Sequence, residues 1–167
     1  IRTFVTAAQD QERSMHALAA ALSFRYGNDA CSRVIYSESH DEVANGKARV
    51  PQEIHPDDPQ GWYAQKRSTL AAALLFTAPG IPMIFQGQEF LQGEWFRDDV
   101  PLDWDLREDY HGIVRMYRDL IRLRLNRYDN TRGLCVQHIS ISHLNEVDNI
   151  CSFQRWDLHG AGDDVMI

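Results

Sequence analysis

Leu70-Ala71-Ala72-Ala73-Leu74-Leu75-Phe76-Thr77-Ala78-Pro79-Gly80-Ile81-Pro82-Met83-Ile84-Phe85 holds a helix, a break and a strand in sixteen consecutive residues. Its first seven residues are apolar almost all round, as in a helix that packs on several sides. Pro79-Gly80 stops that helix. Ile81 to Phe85 is a short apolar run of strand length, and Pro82 is tolerable near its start. The helix reads back to about Gln60.

The same grammar recurs on either side. Upstream, Asp10 to Tyr26 reads as a helix with Asp10 as N-cap and Met15, Leu18, Ala19, Leu22 and Tyr26 at helical spacing. Gly27-Asn28-Asp29 ends it, and Arg33 to Ser37 follows as a strand. Downstream, Tyr110 to Asn126 reads as a helix with Ile113, Tyr117, Leu120 and Ile121 inward and Arg115, Arg118 and Arg122 outward. From Leu134 the period changes to two, and Leu134 to His143 with Ile150 to Trp156 read as an antiparallel pair. Helices alternating with short apolar strands imply βαβ units and a parallel sheet. The joins are asymmetric: helix-to-strand joins are short, whereas both strand-to-helix joins run to about twenty residues, far beyond the usual few. In a (β/α)8 barrel the strand-to-helix loops build the catalytic face. A whole barrel needs about 250 residues, so two strands and three helices are a portion of one.

Bulk properties narrow the function. The chain has 167 residues, a hydrophobic fraction of 44%, a charged fraction of 25% and a net charge of -7. This is a globular composition, and its acidity argues against nucleic acid or an anionic membrane as partner. Three cysteines form no disulfide or zinc pattern. With no signal peptide in view, a reducing, cytoplasmic setting is the default. The chain opens at Ile1 and stops in Asp163-Asp164-Val165-Met166-Ile167, an acidic turn leading into an apolar run like a strand starting. Both ends read as cuts in a longer polypeptide.

The two long loops are where chemistry is expected. The first opens Ser37-Glu38-Ser39-His40-Asp41-Glu42-Val43-Ala44-Asn45-Gly46-Lys47. A carboxylate just past a strand end can stabilise developing positive charge, and a neighbouring His can bind a hydroxyl. A His-Asp pair serves equally as solvated loop or cap. The second loop interleaves acids with aromatics: Gln86-Gly87-Gln88-Glu89-Phe90, then Gly93-Glu94-Trp95-Phe96-Arg97-Asp98-Asp99, then Pro101-Leu102-Asp103-Trp104. Aromatic faces stack on sugar rings and carboxylates accept from sugar hydroxyls. The plainer role for Trp95, Phe96 and Trp104 is to pin the loop. A metal site built from His40, Asp41, Glu42 and His55 is disfavoured, because the ligands crowd one loop without the usual spacing.

Ser39-His40-Asp41-Glu42-Val43 with Gly46-Lys47 resembles the fourth conserved region of the α-amylase superfamily (glycoside hydrolase family 13), in its 1,4-α-glucan branching enzyme form. Pro79 to Phe90 resembles the eighth barrel strand and the loop after it. Leu102-Asp103-Trp104 is similar to the segment that leads into the last barrel helix, and the tail from about Leu134 looks like the start of a C-terminal β-sandwich. The resemblance thus implies strands 7 and 8 of a (β/α)8 barrel with their helices over residues 1–130, and the start of an all-β domain over 131–167. It implies a retaining cleavage of α-1,4-glucosidic bonds and transfer of the chain to a 6-hydroxyl, as in glycogen and starch metabolism. Asp41 is then the transition-state stabiliser, and His40, Glu42, Glu89, Trp95 and Trp104 are expected to bind substrate. No cofactor and no metal are implied. The partner is an α-glucan (glycogen, starch or a maltooligosaccharide), without nucleic acid or membrane. The nucleophilic Asp and the acid–base Glu belong to motifs on earlier strands, in the remainder of the polypeptide N-terminal to this segment, so the segment alone is expected to be inactive. Ala44-Asn45-Gly46-Lys47 lacks the His that precedes Gly-Lys in bacterial branching enzymes, and Gln86-Gly87-Gln88-Glu89 departs from the Gly-Asn-Glu form. Hydrolysis of the amylase type and a non-catalytic carbohydrate-binding module therefore stay open.

Overall fold

The computed structural model describes every residue except Asn45, Lys47 and residues 159–162. In chain order its regular elements are α1 (Arg2–Thr6), α2 (Met15–Ser23), β1 (Val34–Ile35), α3 (His40–Ala44), α4 (Val50–Ile54), α5 (Trp62–Thr77), β2 (Ile81–Pro82), α6 (Asp105–Asp109), α7 (His111–Arg124), α8 (Arg132–Cys135), β3 (His138–Asn145), β4 (Ile150–Trp156) and β5 (Val165–Met166). The chain forms two compact groups. One holds residues 1–8, 36–75 and 83–118; the other holds residues 9–35, 76–82 and 119–167.

In the second group, β1 and β2 pair in parallel, with Val34 opposite Ile81 and Ile35 opposite Pro82. The alternating pattern predicted such a neighbourly parallel pair, but over five residues each rather than two. Pro82 has no N–H to continue the ladder, so it ends almost as it begins. The turn into β2 needs Gly80: its φ is +130°, and a Cβ there would lie 3.1 Å from the Ile35 side chain.

Helix ends usually leave carbonyls without partners. Here every carbonyl from Phe76 to Gly80 accepts from a guanidinium. Arg124 serves Phe76 (3.4 Å), Ala78 (2.6 Å) and Gly80; Arg33 serves Pro79 (3.1 Å); Arg155 serves Thr77. Arg155 is fully buried and also donates to the carbonyls of His138 (2.9 Å) and Val136. A positive charge at the C-terminal end of a helix is favourable in itself.

The tail is a three-stranded antiparallel sheet in the order β3-β4-β5. The predicted antiparallel pair is present as β3 and β4, with Asn145 opposite Ile150 at the turn end. Leu134 is a correction, since it is buried in α8 and β3 begins at His138. The apolar run at Val165 does form a strand, paired to Gln154 and Arg155 of β4.

The expected N-cap of the first long helix is also corrected. Asp10–Glu12 is a separate 3₁₀ turn, and α2 starts after Ser14, whose hydroxyl accepts from Ala17 N at 3.1 Å. The Glu146 carboxylate takes the next donors, Met15 N (2.9 Å) and His16 N (2.8 Å). These bonds hold the Glu146 carboxyl below its ordinary range.

In the first group, Val5, Val50 and Ala71 form a core onto which Ile1, Phe4 and Ile54 pack. The α5 segment is buried on most sides, as its composition implied, with Leu70 as the exception at 44% exposed. α7 buries Tyr117 and half-buries Ile113, Leu120 and Ile121, while Arg115, Arg118 and Arg122 are exposed. The two segments read as long loops are not featureless: they contain α3, α4 and α6. Among the described residues no helix is long and apolar enough to cross a membrane.

Candidate active site

β1 is followed by Ser37, Glu38 and Ser39, all buried, and then by α3. Ser39 caps that helix: its hydroxyl accepts from Glu42 N at 3.3 Å, and its carbonyl accepts from Val43 N at 3.1 Å. The Ser-x-x-Glu spacing is half of a capping box and was available in the sequence. The cap places His40 and Asp41 at the head of α3 with side chains 67% and 77% exposed. The His40 Nε2 lies 3.1 Å from Asp41 Oδ1. An exposed carboxylate beside an imidazole is free to meet a ligand from solvent. Glu42 turns the other way: it is half-buried, and its carboxylate lies 3.8 Å from Arg2.

The segment after β2 is shaped by glycine. Gly87 has φ +84°, and a Cβ there would come within 2.7 Å of the Gln92 Cβ, so the chain doubles back where only glycine fits. Glu89 sits in the 3₁₀ turn Gln88–Phe90, half-buried, with Oε2 lacking a hydrogen-bond partner among the described residues. Phe96 packs edge-on against Phe85 (5.4 Å between centroids), and Trp104 tilts against Phe90 (5.5 Å). Those two rings do the pinning weighed above, although Trp104 stays 58% exposed. Trp95 is 57% exposed and lines a cavity of about 510 Å³ with Gln52, Gln60, Gln92, Arg97 and Asp103. His40, Asp41, Glu42, Glu89 and Trp104 are not among the residues lining it.

A buried polar network, unforeseen in the sequence, ties the two segments together. Gln88 donates to the Ser37 hydroxyl at 2.7 Å and accepts from Phe85 N at 3.1 Å. Arg49 lies 3.6 Å from Glu38, donates to the Gln86 carbonyl at 2.8 Å and stacks 4.4 Å over the Phe85 ring. Burial pushes the Glu38 carboxyl up to about 7, although Arg49 and Arg2 pull against it. Burial likewise lowers the Arg49 guanidinium, and burial with the Glu38 charge raises the Tyr117 phenol. Among the described residues no group of three or more His, Cys, Asp or Glu could hold a metal.

Known proteins resemble this arrangement in sequence. Over 134 residues the chain is 37% identical to the 1,4-alpha-glucan branching enzyme GlgB of Deinococcus radiodurans, covering 77% of this chain and 18% of that protein. GlgB 2 of Streptomyces coelicolor is 34% identical over 134 residues, covering 74% of this chain and 17% of that protein. The Shewanella baltica GlgB is 32% identical over 162 residues, covering 91% of this chain and 20% of that protein. The chain is homologous to one segment of the branching enzymes.

It spans no more than about a fifth of the length of these branching enzymes. No family model matches the chain. In structure it resembles the type I pullulanase of Bacillus subtilis complexed with maltose, with a TM-score of 0.70 and 22% identity over 98% of this chain and 25% of that one. That likeness concerns the fold alone. His40 and Asp41, the pair singled out by the resemblance, are both exposed at the head of α3. Asn45 and Lys47 of the same motif lie outside the described residues.

Proposed function

We propose that this chain is part of a 1,4-α-glucan branching enzyme, which cleaves α-1,4 bonds with retention and passes the chain to a 6-hydroxyl of glycogen or starch. The observation that carries the reading is the exposed His40–Asp41 pair, set at the head of α3, in a chain 34% identical over 134 residues to a branching enzyme. Residues 1–130 would complete strands 7 and 8 of a (β/α)8 barrel, and 131–167 would open a C-terminal β-domain, in a cytoplasmic enzyme.

Asp41 then supplies the charge that steadies an oxocarbenium-like sugar. A fixed carboxylate does this without reorganising solvent as the charge develops. His40 donates to hydroxyls of the same sugar. Glu42, Glu89, Trp95 and Trp104 contribute substrate contacts, the tryptophans through the exposed parts of their rings. The covalent step belongs to an Asp nucleophile and a Glu acid–base whose motifs are absent from this sequence.

The test is Asp41→Asn in the enzyme that contains this segment, assayed on amylose. Turnover should fall on the order of a thousandfold, and a near-normal rate removes Asp41 from the chemistry. Counting new reducing ends against new α-1,6 branch points in the unmodified enzyme decides the acceptor. New branch points with no new reducing ends mean transfer; new reducing ends with no branch points mean hydrolysis.

A further inference from the structure

Ser37, Glu38 and Ser39 form a buried strip between β1 and the exposed His40–Asp41 pair. The Ser37 hydroxyl accepts from Gln88, after β2, at 2.7 Å, and its carbonyl accepts from Arg2 of α1 at 3.4 Å. Glu38 accepts from the Val50 amide at the start of α4, and Ser39 caps α3. The His40 and Asp41 side chains meet each other at 3.1 Å and otherwise stand open to solvent. The strip behind them therefore sets where α3 starts and where Asp41 points.

Glu38 is the member of the strip that can change charge. Its Oε2 has no hydrogen-bond partner among the described residues and stands 3.6 Å from Arg49 Nη1, just beyond hydrogen-bond reach. Ionisation draws the guanidinium across that gap, whereas a protonated Glu38 leaves Arg49 to the Gln86 carbonyl and the Phe85 ring. The groups around it act in both senses. Arg49 and Arg2, the latter also paired with Glu53 of α4, favour the anion, and Glu42 of α3 opposes it. The Tyr117 phenol of α7 faces the same charge and is kept protonated by burial, while Glu89 acts on Arg49 and Tyr117. Burial outweighs the two arginines and leaves Glu38 titrating at about 7.

We infer that Glu38 is a charge-dependent positioning residue: as the anion it draws in Arg49, grips the Val50 amide and fixes the head of α3 where Asp41 acts, and on protonation it releases that setting. The inference rests on the reading of Asp41 as the stabilising carboxylate and adds a residue that works through it. Glu38 itself is buried and meets no substrate. Its ionisation is costly to the fold through lost solvation, yet tightens the strip locally.

The first test is amide NMR of the chain between pH 5 and pH 8. The Asp41 N–H should titrate with the same midpoint as the Glu38 carboxyl carbon, near 7. His40→Gln, which removes the neighbouring imidazole, should keep that transition, and Glu38→Gln, which copies the protonated shape, should lose it. An Asp41 amide that does not follow the Glu38 carboxyl, or follows His40 instead, overturns the inference even without the Glu38 variant. The second test is turnover on amylose by the enzyme that contains this segment. Its kcat should rise about tenfold through pH 7, and Glu38→Gln should stay about tenfold lower at pH 8 with KM changed less than about twofold. Simple loss of folded enzyme would lower kcat alike at every pH and keep the step, and that outcome also overturns the inference. The amide transition is read without turnover, so the two failures separate. Normal turnover in Asp41→Asn sinks the catalytic reading alone, and an Asp41 amide blind to Glu38 sinks the positioning role alone.

Discussion

The Glu38 carboxylate lies 3.6 Å from the Arg49 guanidinium, and the two side chains are only 1% and 2% exposed. A charge pair this deep is costly to assemble and costlier to break. Arg49 also carries the Gln86 carbonyl and the Phe85 ring, so it links the segment after β1 to the segment after β2.

Removing one partner should therefore hurt more than removing both. Arg49→Met leaves Glu38 buried without its counter-charge and should cost about 3–5 kcal/mol. Glu38→Gln combined with Arg49→Met should recover at least about 1 kcal/mol of that loss, because no unpaired charge is left. Urea unfolding of the single and double variants measures the difference; a double variant as unstable as the sum of the singles contradicts it.

The raised Glu38 pKa gives a pH signature of defined sign. Burial favours the protonated form in the folded chain, up to about 7, against an ordinary value of 4.5 in the unfolded chain. Between those values the folded state binds more protons, so this group makes stability fall as pH rises from 4.5 to 7 and leaves it flat outside that window. The loss is about 3 kcal/mol in total. Glu38→Gln should abolish that component. Unfolding free energies at pH 5 and pH 8 for both proteins test it, and the same pH slope in the variant would rule out Glu38 as its source.

Arg155 should be irreplaceable by lysine. Its planar fork reaches the carbonyls of Thr77, Val136 and His138 at once, whereas an ammonium is a single compact donor group. Arg155→Lys should destabilise the chain by about 2–4 kcal/mol, since buried carbonyls lose their donors. Arg132→Lys, at a side chain 57% exposed, should cost less than about 1 kcal/mol. Thermal unfolding compares the two, and a similar small shift for both would deny Arg155 this role.

Which features the sequence revealed follows from the range over which each is encoded. α5, α7, the parallel neighbours β1 and β2, and the β3–β4 hairpin each carry their own period or breaker, and were read within a few residues. α3, α4 and α6 have five residues each, too few for a helical period to stand out against a polar segment. The start of α2 was missed because Glu146, which completes its cap, is 130 residues away from His16 in the chain. The site divides the same way. His40 and Asp41 are neighbours in the chain, so their closeness was legible. Glu38 with Arg49, and Gln52 with Trp95, are paired only by folding, and nothing in their spacing announces them.

The three arginines that occupy every carbonyl from Phe76 to Gly80 set the length of that connection to the residue. One inserted amino acid would move each oxygen off its donor and carry Ile81 out of step with Val34. Insertions should therefore be refused in the segment before β2, which makes that short turn the ruler that keeps β2 in step with β1.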